Sequence, residues 1–210
     1  MLGIYLIMAG LFISTLDIPA IVIAKYPAYT MLYNEEGLGE VIQDYVVNNM
    51  IGKELRADIF SDILAYILIF IGVCMLLKYN KKFLRVYIPL IATTGLYVLV
   101  KMLPFIYTGK DLIVYGLAFS VLLLIIEIIM EYFLVYTIAD TTAELPNQRD
   151  TVLMKFGWVG SVLCRGFLYC IVLVGLADPI IIAYKVVQVG FMLFCLHRMF
   201  RCRHYLSKRD

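Results

Sequence analysis

The chain has 210 residues, of which 63% are hydrophobic, and its formal net charge at pH 7 is +2. The apolar residues form long blocks instead of alternating with polar ones at a helix or strand period, which predicts an all-α polytopic membrane protein in a lipid bilayer. The near-neutral charge argues against a nucleic-acid surface. At about 20 residues per span, the length accommodates six transmembrane helices in a single transmembrane domain.

The first predicted span covers residues 3–24 and contains both Asp17 and Pro19. A proline frees a backbone carbonyl within a membrane helix, so we expect a kink near Asp17 that faces the interior of the bundle. The long first loop follows at residues 25–56. Apolar residues recur in this loop at the spacing of a one-faced helix: Leu38, Val41, Ile42, Tyr45 and Val46. This spacing predicts a short amphipathic helix, which either lies on the membrane surface or covers a cavity between the spans.

The fourth predicted span contains two carboxylates in an otherwise nearly continuous run of apolar residues. The second to sixth spans are expected at residues 58–79, 86–107, 112–138, 153–176 and 180–200. Glu127 and Glu131 lie one helical turn apart near the middle of the fourth span. A charge at that depth is costly and persists mainly where it faces protein or a water-filled cavity. We therefore expect the other spans to surround these two glutamates.

The other spans also contain ionisable residues, whose depths follow from counting outward from the middle of each span at about 1.5 Å per residue. On this count Arg165 lies at the midplane, Glu127 lies just to its cytoplasmic side, and Glu131 lies about one turn further in that direction. Four further residues lie roughly 5 to 9 Å toward the outer surface: Asp17, Asp62, Lys101 and Lys185. Together the seven side chains are predicted to form one polar column, which makes all of them candidate ligand-binding residues.

Two interpretations of this column remain open. In one, its charges are ion pairs that hold the helices together: Arg165 with Glu127 or Glu131, Asp62 with Lys101, and Asp17 with Lys185. In the other, the column lines a cavity that opens to the outside and binds a solute. When Asp58 is added to the column, it has five acids and three bases, so two carboxylates lack a cationic partner. A cationic or amine-bearing solute, or a transferable proton, would neutralise them. Five tyrosines in the spans could contribute hydroxyls or ring faces to such a site: Tyr66, Tyr97, Tyr115, Tyr169 and Tyr184.

Basic residues favour one orientation of the chain in the cell membrane. The connection after the second span and the C-terminal tail are rich in lysine and arginine, whereas the turns after the third and fifth spans hold one basic residue between them. Because basic residues concentrate in cytoplasmic segments, both termini are predicted to be cytoplasmic and the long loop to be outside. Lys25, Lys53 and Arg56 in that loop run against the rule, but long loops follow it less strictly.

The sequence motifs indicate no metal, cofactor or catalytic centre. In the pairs Cys195 with His197 and Cys202 with His204, two residues of separation correspond to about 200° on a helix, so each cysteine and its histidine point to nearly opposite sides. One metal ion cannot readily bind all four side chains. All the cysteines lie in or beside apolar runs, which predicts reduced thiols: Cys74, Cys164, Cys170, Cys195 and Cys202.

Three functions are compatible with these features. The leading hypothesis is an integral membrane protein that binds a small solute in an outward-facing polar cavity, as a small transporter or a transporter's solute-capture subunit. In size, number of spans and long first outer loop the chain resembles the substrate-capturing membrane subunits of vitamin transporters, without the small-residue pattern of their first helix. The alternative is a non-catalytic accessory subunit with helix-pinning ion pairs and a protein partner on the cytoplasmic side. A membrane-embedded enzyme is the third.

Overall fold

The computed structural model describes residues 2–15, 21–25, 54–57, 62–107, 109–143, 148–173 and 178–206. Within these residues the chain forms six α-helices: α1 Leu2–Thr15, α2 Asp62–Leu76, α3 Leu84–Ile106, α4 Gly109–Thr142, α5 Gln148–Leu173 and α6 Asp178–Leu206. Two short strands, β1 Ile21–Lys25 and β2 Glu54–Ala57, pair with each other in antiparallel fashion. Helices account for nearly all of the described residues, so the predicted all-α class is confirmed, and the six described helices fit the predicted number.

Four of the described helices are long and apolar enough to cross a membrane. Their candidate spans are Lys81–Ile106, Val114–Thr142, Gln148–Leu168 and Ile182–Arg203. The other two, α1 and α2, are also apolar but have only 14 and 15 residues, which is shorter than the roughly 20 residues that a full span requires. The described part of the chain therefore has the helices of a membrane protein.

The end of the first predicted span differs from the structure. We expected one helix over residues 3–24, but α1 ends at Thr15 and the backbone is extended over β1, where Ile21 lies opposite Ala57. The hydroxyls of Ser14 and Thr15 both donate hydrogen bonds to the carbonyl of Leu11, which satisfies an acceptor near the helix end. The β-branched residues that follow favour a strand. Asp17 with its predicted kink, and the amphipathic helix predicted between residues 38 and 46, lie outside the described residues.

Each described helix packs against the next one in sequence, and α6 packs back against α1, so the six helices form a closed ring of neighbours. Glycines bring two of these pairs especially close. A Cβ atom at Gly157 of α5 would lie 2.9 Å from the backbone nitrogen of Cys195 in α6. A Cβ atom at Gly72 of α2 would lie 2.6 Å from the carbonyl oxygen of Gly3 in α1. Only a residue without a side chain permits such an approach.

A set of polar contacts, which we call the Asp150 clamp, joins the start of α5 to the end of α6. The carboxylate of Asp150 accepts a hydrogen bond from Arg198 Nη1 at 2.9 Å and lies 3.5 Å from Arg201 Nε. A further polar contact joins the α2–α3 turn to the end of α4, where the amide of Asn80 donates a hydrogen bond to Thr141 Oγ1 at 2.8 Å. These contacts fix the ends of the helices on the side of the bundle where both the α2–α3 turn and the end of α6 lie.

Candidate functional site

Two glutamates and one arginine meet between α4 and α5, and we call Glu127, Glu131 and Arg165 the charged cluster. The glutamates are four residues apart on α4, so their side chains project from one face of that helix. Arg165 Nη2 donates a hydrogen bond to Glu131 Oε2, and Arg165 Nη1 lies 3.5 Å from Glu127 Oε2. We expected Arg165 to pair with one glutamate or the other. The structure confirms the pairing and shows that one guanidinium contacts both.

Glu131 is the more enclosed of the two carboxylates. Only 1% of its side chain is exposed. In addition to Arg165, its Oε2 accepts a hydrogen bond of 2.9 Å from Trp158 Nε1. A carboxylate this deeply buried is stable only when it is paired and hydrogen-bonded, and Glu131 meets both conditions. Its acceptor atom is thus committed to groups of the protein itself.

Glu127 is held more loosely. Its side chain is 16% exposed, and both of its contacts are long: 3.5 Å to Arg165 and 3.4 Å to the hydroxyl of Tyr66, which donates to Glu127 Oε1. Hydrogen bonds to a carboxylate are normally well below 3.2 Å. Glu127 is therefore the carboxylate of the cluster that is better able to accept a further partner.

Aromatic rings extend the cluster from Tyr66 on α2 to α3. The ring of Tyr66 packs edge to face on Tyr97 with centroids 6.1 Å apart, and Lys101 Nζ lies 5.5 Å from the centroid of the Tyr97 ring. Asp62 begins α2 and lies one turn before Tyr66 on that helix. Asp62 and Lys101 therefore flank the cluster on its α2 and α3 side. Their predicted pairing with each other stays a prediction.

Of the remaining two predicted site residues, one lies apart from the cluster and the other is outside the described residues. Lys185 occupies an exposed position on α6. Asp17 lies outside the described residues, and so does its predicted pairing with Lys185. Of the seven residues predicted to form a polar column, the structure thus joins three directly and places two beside them.

Trp158 was not among the residues singled out from the sequence, and Tyr66 was expected only as one of five tyrosines in the spans that could contribute a hydroxyl or a ring face. Trp158 precedes Arg165 by seven residues, or two helical turns, so both project from the same face of α5. It is also the only tryptophan in the chain, and an indole N–H needs an acceptor when it is buried. This combination was a usable signal. The sequence did not identify Glu127 as the partner of Tyr66, because the contact joins two helices that are distant in sequence.

Buried polar atoms without a hydrogen-bond partner among the described residues lie close to the cluster along α5. They include Arg165 Nε and the hydroxyl of Ser161, which lies one turn before Arg165 on the same helix. A buried donor without an acceptor costs about 1–3 kcal/mol. The arrangement can therefore accept another polar group beside the arginine as well as a cation beside Glu127.

An apolar groove of about 390 Å³ runs between α2 and α3. Its lining consists of Tyr66, Ile67, Phe70, Leu90, Ile91, Thr94 and Gly95. Aromatic contacts between the two helices bound it on both sides: Tyr66 with Tyr97 at 6.1 Å, and Phe70 with Tyr87 at 5.3 Å. The Tyr87 hydroxyl also lies 2.9 Å from the thiol of Cys74. The groove thus lies at the level of the charged cluster, with Tyr66 as its inner wall.

Thiols elsewhere do not extend this site. Cys74, Cys164, Cys195 and Cys202 are free, as predicted from their apolar surroundings, and the side chain of Cys170 lies outside the described part of the chain. Cys195 is fully buried while His197 is exposed. The two side chains therefore point to different sides of α6, as their spacing predicted.

Comparison of the chain with models of protein families, with curated proteins and with solved structures finds no match. No residue role is therefore carried over from another protein. The charged cluster and the groove beside it are the basis for the functional proposal.

Proposed function

We propose that this chain is an integral protein of the cell membrane that binds a small cationic solute at Glu127, as a small transporter or as the solute-capture subunit of one. The observation that carries the proposal is the imbalance of the charged cluster, in which one arginine serves two carboxylates. The second carboxylate, Glu127, has only long contacts and is partly exposed. It is the natural anchor for a positive charge.

Electrostatics favour a cation at this place. With both glutamates ionised, the cluster has two negative charges and one positive charge, and a net charge is costly inside a membrane. A cation placed 4 Å from Glu127 would gain about 4 kcal/mol at an effective dielectric constant of about 20. When no solute is bound, a proton on Glu127 is the simplest neutralising partner. Solute and proton would then compete, so the apparent affinity for a cation should fall as the pH is lowered.

Basic residues support an orientation with both termini in the cytoplasm. Lys81, Lys82 and Arg85 are exposed at the start of α3, and Arg201 is exposed near the end of α6. In a protein with six spans these two places lie on the same side, which the distribution of basic residues assigns to the cytoplasm. Asp62 begins α2 and would then lie toward the outside. We therefore propose that the solute reaches Glu127 from the outer side.

The experiment that tests this function measures thermal stability of the purified protein with butylamine, with choline and with neutral butanol. A ligand that binds only the folded state stabilises it by mass action, by about 2.7 kcal/mol at a hundredfold excess over Kd. We expect an amine to raise Tm in the wild-type protein and in Asp111→Asn, which changes an exposed carboxylate of the same helix. We expect no such rise in Glu127→Gln.

An amine-induced rise in Tm that persists in Glu127→Gln would contradict the assignment of Glu127. A rise that butanol reproduces would show that charge plays no part. These two controls separate recognition of a cation from an unspecific effect of an amphiphile on the detergent micelle.

The enclosure of Glu131 favours a second candidate, an accessory subunit whose charges only hold helices together and whose partner docks on the cytoplasmic side. With its acceptor Oε2 satisfied by Arg165 and Trp158, Glu131 resembles a structural ion pair. In that case no amine changes Tm, either in the wild-type protein or in Glu127→Gln. The same thermal experiment therefore decides between the two functions.

A further inference from the structure

Tyr66 belongs to the apolar groove and to the charged cluster at once. Its ring lines the groove between α2 and α3, and its hydroxyl donates to Glu127 at 3.4 Å. We infer that the solute is a lipophilic amine, whose apolar body lies in this groove and whose ammonium group lies against the Tyr66 ring, beside Glu127. This inference rests on the proposed function and specifies its ligand class and route of access.

The groove has the size and lining for the apolar body of such a molecule. Its volume of about 390 Å³ falls in the usual range of small-molecule sites. Ile67, Phe70 and Ile91 lie along it and are 43–66% exposed on the outer surface of the bundle. In a bilayer this surface faces lipid, so a molecule dissolved in the outer leaflet can enter the groove sideways without crossing the bundle.

The inner wall gives the groove its selectivity for charge. Lipid tails are as apolar as the side chains that line the groove, so an uncharged chain gains little by moving from the bilayer into it. An ammonium group gains more, because the Tyr66 ring face attracts cations and the Glu127 carboxylate lies directly beyond its hydroxyl. Charge at one end and an apolar lining along the rest together select an amphiphilic cation over a neutral lipid chain.

Gly95 offers a direct means to fill the groove. A Cβ atom at Gly95 would meet nothing within 4 Å, although this residue lines the groove, so a larger side chain there extends into open space. Gly190 on α6 is a matched control, because a Cβ atom there also meets nothing within 4 Å and the residue is exposed away from the groove. Gly95→Leu and Gly190→Leu thus make the same change in a helix, but only Gly95→Leu fills the groove.

The test uses two photoreactive probes with the same alkyl chain, a diazirine-labelled dodecylamine and a diazirine-labelled dodecanol. The full chain is reconstituted in phosphatidylcholine nanodiscs, irradiated and mapped by mass spectrometry. We expect the amine to label peptides of α2 and α3 about tenfold more than the alcohol does. Gly95→Leu should remove most of this labelling, Gly190→Leu should leave it unchanged, and Glu127→Gln should lower the amine signal to that of the alcohol.

Equal labelling by both probes would overturn the inference and show that the groove holds an ordinary lipid tail. Undiminished amine labelling in a folded Gly95→Leu protein would also overturn it. If Gly95→Leu does not fold, the Gly95→Ala variant and competition by unlabelled dodecylamine replace it. The inference is wrong if neither of them reduces the labelling.

Failure of the inference is distinguishable from failure of the proposed function. If butylamine raises Tm through Glu127 but dodecylamine does not label the groove, the cation site stands and lateral access falls. If Glu127→Gln changes neither the effect of butylamine on Tm nor the labelling by dodecylamine, the proposed function and the inference are both wrong.

Discussion

The charged cluster and the Asp150 clamp use the same chemistry with opposite stoichiometry. In the clamp one carboxylate, 4% exposed, faces two arginines, and the surplus guanidinium of Arg201 is 52% exposed at a helix end. In the cluster one arginine faces two carboxylates, and the surplus group, Glu127, is 16% exposed in the interior of the bundle. Surplus charge that reaches water costs little, whereas enclosed surplus charge needs a partner. The comparison suggests that the clamp is structural and that the cluster has capacity for a ligand.

The largest effect should come from Arg165→Leu. This change leaves Glu131 buried with no cation, and breaking a buried ion pair in this manner costs about 3–5 kcal/mol. Equilibrium unfolding in mixed micelles measures the loss. The double variant Arg165→Leu with Glu131→Leu should recover part of it, because no uncompensated charge then remains. A single variant as stable as the wild type would show that the cluster is not a buried ion pair.

Trp158→Phe should have the next largest effect. It removes the indole N–H that donates a hydrogen bond to Glu131. It keeps an aromatic ring beside Tyr132 and Tyr136, whose ring centroids are both 5.9 Å from that of Trp158. Loss of one hydrogen bond to a buried carboxylate is expected to cost about 1–3 kcal/mol. Denaturation followed by circular dichroism is the suitable measurement, since the variant lacks the only tryptophan. A cost near zero would mean that Arg165 alone satisfies Glu131.

Arg198→Leu tests the clamp and should be milder than Arg165→Leu. Asp150 keeps Arg201 as a partner at 3.5 Å, so the expected loss is about 1–2 kcal/mol. Unfolding under the conditions used for Arg165→Leu gives a direct comparison of the two regions. Losses of equal size would remove the distinction between exposed and enclosed surplus charge.

Glu127→Gln should have the smallest effect on the stability of the ligand-free protein, within about 1 kcal/mol. Its two contacts are long, and an amide oxygen can still accept from the Tyr66 hydroxyl. Glu131→Gln, one turn away, is the matched control and should cost distinctly more, because it weakens the contacts of a fully buried group. If Glu127→Gln were the more costly of the two, Glu127 would be the structural carboxylate.

The sequence was sufficient for the helices and for the central pairing but not for the way the helices face one another. Apolar blocks predicted six helices, and depth counting placed Arg165 close to the level of Glu127, with Glu131 about one turn further. Counting along a helix gives the height of a side chain but not the direction in which it points. For this reason Lys185 was assigned to the column by its depth although it is exposed on α6. For the same reason the contact of Tyr66 with Glu127 was not predicted.

The end of α1 shows a different limit. Residues 3–24 are apolar enough to continue as a helix, and hydropathy alone gives no reason to stop. The structure ends the helix at Thr15, where Ser14 and Thr15 hydroxyls bond to the carbonyl of Leu11, and an extended segment then pairs with residues 54–57. Such pairing depends on a strand more than 25 residues away in the chain and is invisible to a local window.

The exposed thiol of Cys74 supplies a built-in reporter for this arrangement. It lies beside Tyr87, at one boundary of the groove, whereas the other cysteines whose side chains are described are buried. A nitroxide attached there without any engineered cysteine would sense a molecule that settles between the two helices through its mobility. The line width of its paramagnetic resonance spectrum should change as the groove is occupied, so occupancy could be followed by titration.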